Sequence, residues 1–223
     1  GPLLDAHAAA AGGRFRGVRH SAVSHADPAA RGSARNAPPG LLREPAFRQG
    51  LAELSRRGLS FDAWVYHTQL DEVVDVARAT PDLPIVLDHV GGPIGIGPYA
   101  GCRAEVFADW RRAIGRLAAC PNVVVKLGGL GMRLFGHRFA DDPLPPSSEA
   151  LAAAWWPYLE TAIDAFGPDR AMFESNFPVD KGAASYVAIW NAFKIVAAPL
   201  SAGERDALFA GTAARTYRIR LGA

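Results

Sequence analysis

Cysteine is scarce in this chain, with only Cys102 and Cys120 among 223 residues. The pair fits no metal-binding spacing and cannot build a disulfide framework, so a reducing cytoplasm is the expected compartment. No run of about 18 apolar residues is present, so no membrane-spanning helix is expected. The opening residues carry Asp5 and lack a basic stretch, so no secretory signal is read there. Blocks of like charge are missing and the formal net charge is only +2. Nucleic acid and anionic membrane are therefore not expected partners. Internal repeats, low-complexity tracts and long linkers are also missing, and residues 1–223 are read as one domain. The motifs H-E-x-x-H, G-x-S-x-G and the P-loop do not occur. The glycine-rich run at residues 91–97 lacks G-x-G-x-x-G order and reads as a flexible active-site loop.

Alternation is what the chain does have. Hydrophobic residues make up 49% of it, an ordinary share for a globular protein. Short apolar runs at residues 15–22, 61–66, 85–90, 123–127 and 171–176 read as strands. Amphipathic stretches between them read as helices. One begins at Pro45 and stops at Gly58. Another opens at Thr68 with Asp71 as a capping box, and the last is capped by Ser201 and Glu204. Strand and helix alternating five times predict an α/β fold with a parallel sheet. The runs are nearly all apolar, as strands covered on both faces are. Either an open sheet or an incomplete (β/α)8 TIM-type barrel fits, since a full barrel has eight strands and about 250 residues.

The strand ends carry the chemistry. Residues 85–92 read Ile-Val-Leu-Asp-His-Val-Gly-Gly, an apolar strand that stops at an ionisable pair. The other runs end at Arg19-His20, Tyr66-His67, Lys126 and Glu174/Asn176. Ionisable residues at the C-terminal tips of parallel strands are where barrels hold their active sites. Alternation of strand faces groups Arg19 with Gly17, Lys126 with Val124, and Asn176 with Glu174 and Met172. It places His89 with Ile85 and Leu87 in the mouth and turns Asp88 toward the helices. For the second strand, Asp62/Trp64/Tyr66 and Ala63/Val65/His67 remain alternatives. An imidazole serves acid–base work or metal ligation. Arg19 suits a carboxylate clamp or an internal salt bridge. Lys126 suits oxyanion stabilisation, an amine nucleophile, or a pair with Glu174.

The segments Gly17-Val18-Arg19-His20, Leu87-Asp88-His89-Val90-Gly91, Asn122 to Leu127 and Met172 to Pro178 together resemble the amidohydrolase-related family. The likeness is to its lactonase-like branch, the pyrone-dicarboxylate and sugar-acid lactonases. That resemblance implies a (β/α)8 barrel of which these five strands are the fourth to eighth. The family's His-x-His strand has no counterpart here, so the N-terminal third of the barrel is expected to be missing. It further implies a hydrolase acting on a lactone, ester or amide of a small carboxylated ring or sugar acid. His89 would polarise the carbonyl or bind a metal, Arg19 would hold the substrate, and Lys126 would assist at the oxyanion. His20 and His67 join Arg19 as substrate-binding residues. Some branches use a divalent metal such as zinc. With Asn176 where the family commonly has aspartate, no metal or other cofactor is expected, and Asp180 is expected to supply the base. The alternatives are a Schiff-base lyase acting through Lys126, or a non-catalytic fragment that binds a small acid. Exposed sheet edges would favour a homo-oligomer.

Overall fold

Five short strands line up in chain order in the computed structural model, which describes residues 1–32, 35–139, 141 and 143–220. Residues 33, 34, 140 and 142 of the two long polar loops, and the last three residues of the expected domain, lie outside the described residues. The strands are β1 (Gly17–Ser21), β2 (Ser60–Trp64), β3 (Ile85–Leu87), β4 (Val123–Leu127) and β5 (Ala171–Phe173), all parallel, in the order β1-β2-β3-β4-β5. A sequential order has no switch point. Right-handed crossovers then place the helices that connect the strands on one face, which is the winding of a TIM-type barrel rather than of a doubly wound sheet. Five of the eight strands of such a barrel are present among the described residues.

The helices are α1 (Pro2–Ala10), α2 (Pro45–Arg56), α3 (Leu70–Ala79), α4 (Arg103–Ala118), α5 (Ser148–Phe166), α6 (Tyr186–Ala197), α7 (Ala202–Asp206) and α8 (Thr212–Tyr217). α2 to α6 turn buried apolar stripes to the core, whereas α1 and α7 bury no residue. Alternate strand residues supply the other half of that core: Phe61, Ala63, Ile85, Leu87, Val123, Val125, Leu127, Ala171 and Phe173 are all buried. Phe173 stacks on Phe193 of α6, and Trp110 of α4 and Trp155 of α5 are fully covered. The register Arg19↔Asp62↔Val86↔Val124 and Lys126↔Met172 puts the intervening residues on the opposite, inner face.

Three local expectations are corrected. β3 stops at Leu87, short of residue 90. Val90 takes φ 47°, and Trp110 donates to its carbonyl at 2.7 Å, so a tertiary bond holds the chain in a turn where β-branched residues would extend it. α3 starts at Leu70 without a Thr68 cap. Gln69 Oε1 instead accepts from Tyr66 N at 3.3 Å and Ser24 N at 2.9 Å. The 91–97 run is packed over its first half. Gly92 O accepts from His67 N at 3.0 Å, and Gly95 N donates to Leu134 O at 2.7 Å. A methyl on Gly95 would lie 2.4 Å from Phe135 O, so glycine is required there by close backbone approach.

Candidate active site

The inner face of the sheet carries a connected set of charged side chains. Lys126 of β4 donates to Asp62 of β2 at 2.8 Å and to Asp88, just past β3, at 2.9 Å. Tyr217, from the end of α8, donates to Asp62 Oδ2 at 2.6 Å. Arg19 of β1 reaches Asp88 with Nε (3.0 Å) and His89 Nε2 with Nη2 (2.8 Å). His89 Nδ1 makes a short contact with Glu174 Oε1, and that oxygen also accepts the His89 backbone N–H at 3.2 Å. The face assignment of the β3 tip is thereby corrected. Asp88 shares the inner face with Val86 and is buried against Lys126 rather than turned to the helices. His89 comes in beside it because its own backbone swings to φ 52°. The structure also chooses the Asp62/Trp64 face of β2, and the Trp64 ring meets His89 edge-on at 4.6 Å.

The loop after β4 joins this set to a second group. A Cβ at Gly128 would collide with Glu174 O at 2.1 Å, one at Gly129 with the His89 ring at 2.7 Å, and one at Gly131 would press on Asp180 at 3.0 Å. Only glycine lets this loop pass between the three acidic and basic side chains. Asp180 is 1% exposed. It accepts from Asn176 Nδ2 at 2.8 Å and from Gly131 N at 3.1 Å. Asn176 sits at φ 49°, so the chain just past β5, like that just past β3, has left-handed backbone at a non-glycine site residue.

Burial and neighbours set the charge states. Burial pushes the Asp180 carboxyl up to about 6, against the pull of its two hydrogen bonds. Burial likewise pushes Asp88 up, partly offset by Lys126. For Glu174 burial alone would raise the carboxyl, but His89, Lys126 and Arg19 outweigh it and hold it below the ordinary range. For Lys126 burial alone would lower the ammonium, yet Asp88 and Asp62 hold it above the lysine range. It therefore remains a cation, which disfavours the Schiff-base alternative, since that chemistry needs a neutral amine. Its partners are Asp62 and Asp88, not Glu174.

Of the residues predicted from sequence, Arg19, His89, Lys126, Asn176 and Asp180 come together here. His20 and His67 do not. His20 is exposed on the outer face, edge-on to Phe47 of α2 at 5.4 Å. His67 lies under the 93–101 loop, where Nδ1 accepts from Ile94 N at 3.2 Å and burial pushes the imidazole down to about 4. Tyr217 is absent from the sequence reading, Asp62 stands there only in one of two alternative faces, and Asp88 is assigned to the helix side. An acid within the apolar β2 run was a usable signal for Asp62. Tyr217, 155 residues from its partner, left none.

Comparison with known proteins gives a family match, to the amidohydrolase model, over residues 2–219. The uncharacterised protein y4mH of Sinorhizobium fredii is 44% identical over 219 residues, covering 98% of this chain and 65% of that protein. L-fucono-1,5-lactonase of Burkholderia multivorans is 33% identical over 217 residues, covering 93% of this chain and 64% of that protein. The chain thus spans just under two thirds of the length of either. An amidohydrolase of Burkholderia multivorans, solved with bound HEPES, superposes with a TM-score of 0.79 at 32% identity, over 99% of this chain and 71% of that one. A second crystal form has bound zinc and a TM-score of 0.77. The described residues of the present chain do not fit such an ion. No three His, Cys, Asp or Glu side chains among them are placed to hold a metal. The one imidazole of the cluster has Nδ1 on Glu174 and its Nε2 lone pair occupied by a guanidinium, so in this arrangement neither ring nitrogen faces an open position.

Proposed function

This chain belongs to the amidohydrolase family, and from that membership we propose that its strand-tip site hydrolyses the cyclic ester of a sugar acid. The observation that carries the reading is the set of His89, Glu174 and Asp180 around the 128–131 loop, with Arg19 seated on His89. Charge balance supports a neutral sugar lactone over a ring with free carboxylates. Arg19 and Lys126 face Asp62, Asp88 and Glu174, so among the described residues of this cluster the acids already outnumber the two cations. The lactonase of Burkholderia multivorans, by its name, acts on a lactone of that kind.

In this mechanism Arg19 takes the lactone carbonyl oxygen, and water attacks the carbonyl carbon. The new carbon–oxygen bond forms as the carbonyl π pair moves onto oxygen, where the guanidinium stabilises it. The water proton passes to the Asp180 carboxylate, which Asn176 and Gly131 aim. The pair then returns, the ring carbon–oxygen bond breaks, and the Asp180 proton goes to the departing ring oxygen. Lys126 holds Asp88, and through it Arg19. His89 presents Nε2 as an acceptor.

No helix among the described residues is long and apolar enough to cross a membrane. Cys102 and Cys120 are both free thiols, which supports a reducing compartment such as the cytoplasm.

Proton release on mixing with aldono-1,5-lactones tests the activity. The chain is expected to accelerate their hydrolysis above the spontaneous rate, and lactones bearing an extra carboxylate less. Asp180→Asn is expected to lower kcat by about a hundredfold or more. Absence of acceleration, or full turnover in Asp180→Asn, would overturn the assignment.

A further inference from the structure

We propose that Arg19 is a ligand-released cap on His89, and that its departure is what opens the imidazole to substrate. A guanidinium carries hydrogen-bond donors only. With Arg19 Nη2 at 2.8 Å, His89 Nε2 must present its lone pair, so the ring proton lies on Nδ1, where Glu174 accepts it. The rest of the ring is walled in by the edge of Trp64 and the backbone at Gly129. The His89 side chain is 2% exposed and that of Arg19 is 50% exposed. Nε2 therefore opens only toward the one neighbour with room to swing. The swing has an anchor: Arg19 Nε stays 3.0 Å from Asp88, which is itself tied to Lys126.

The release step rests on the reading of the site as one for sugar lactones. The carboxylate of the opened acid, or the lactone oxygen once water attack has placed charge on it, accepts from a guanidinium in a stronger bond than a neutral imidazole does. It draws the Nη donors off His89, and the freed Nε2 lone pair then holds the water or a ring hydroxyl. Arg19 is thus a positioning residue for His89 in the empty site and a substrate contact in the filled one.

Nitrogen NMR of the full chain labelled with 15N-histidine separates the two halves. Without ligand, His89 is expected as the Nδ1–H tautomer with a hydrogen-bonded Nε2. Arg19→Met is expected to move Nε2 to the position of a free acceptor while Nδ1 keeps its proton. A protonated Nε2 in the wild type, or an unmoved Nε2 in the variant, overturns the cap. Sodium gluconate, an open sugar acid, is expected to move the wild-type Nε2 in the same direction and to leave Arg19→Met unchanged. A wild-type signal that gluconate does not move overturns the release and leaves the ligand-free result standing.

Carbethoxylation by diethyl pyrocarbonate, which attacks a free imidazole lone pair, gives a second readout by peptide mass spectrometry. Modification of His89 is expected to be about tenfold faster in Arg19→Met, the factor for one hydrogen bond to a charged group. Buried His67 is the internal control, because general loosening would speed both. Arg19→Lys, whose single head cannot serve Asp88 and Nε2 together, is expected to lie between. Equal His89 rates in all three proteins overturn the cap.

Discussion

At Asp180 the demands of chemistry and stability pull in opposite directions. A carboxyl raised to about 6 in the folded chain, against an ordinary value near 4, is disfavoured as an anion by folding. Its contribution to stability is full below pH of about 4 and is lost as pH rises through about 6, reaching a deficit of about 3 kcal/mol at neutral pH. Asp88, raised by burial, acts in the same sense. Asp180→Asn removes the ionisation but gives up one of the two acceptors that serve Asn176 and Gly131, a loss of about 1 kcal/mol. The expected outcome is a variant that has lost turnover yet is about 2 kcal/mol more stable at pH 7, with the gain gone at pH 4. Urea denaturation at the two pH values measures it. A variant destabilised equally at both would contradict the buried anion. The same residue shapes catalysis: kcat/KM is expected to rise through pH of about 6 as the base ionises.

The strand tip is the element that does the positioning, and it depends on residues that carry no charge. Gly129 has φ 73° and lies where a methyl would meet the His89 ring at 2.7 Å. Gly129→Ala combines left-handed strain of about 1–2 kcal/mol with displacement of the imidazole. Both melting temperature and turnover are expected to fall. Gly50→Ala, in α2 with nothing near its side-chain position, is expected to raise stability by about 0.5–1 kcal/mol without touching activity. Similar thermal shifts in the two variants would show that Gly129 is not a contact for the site. These tips also mark the limit of what could be read from sequence. β4 was legible to the residue because Val123–Leu127 alternates cleanly between core and inner face. Pairing of Lys126 with Asp88 was not, because alternation holds only while the chain stays extended, and β3 leaves that state at Leu87. The turn there is stabilised by Trp110, 20 residues away, a tertiary bond that no local pattern encodes. His20 and His67 illustrate the converse. Both stand beside strand ends, but one residue of phase sends His20 to α2, and the turn after Tyr66 takes His67 under a loop.

At the scale of the molecule, the sheet among the described residues has two strands with a single neighbour, β1 and β5. A twisted parallel sheet ordinarily closes or covers its edges, because a row of free N–H and C=O groups recruits another strand. In the segment that follows β5 and opens α6 the surface is apolar: Phe177, Val179, Tyr186 and Val187 are all exposed, and Phe177 meets Tyr186 edge-on. By contrast the inner face is charged and largely paired within itself. Lys126 holds two carboxylates, and Tyr217 closes the network from the far end of the chain, so the polar centre gives little reason for another copy to enter. Association is therefore expected along the edge and its apolar border, not through the site. Light scattering on a size-exclusion column is expected to show a mass that grows with protein concentration and lies above that of one chain. Val179→Lys with Val187→Lys places charge on that border and is expected to shift the distribution toward monomer. A wild-type chain that stays monomeric at every concentration would show that these edges are protected in a way their exposure does not reveal. Association that survives both lysines would move the contact to β1.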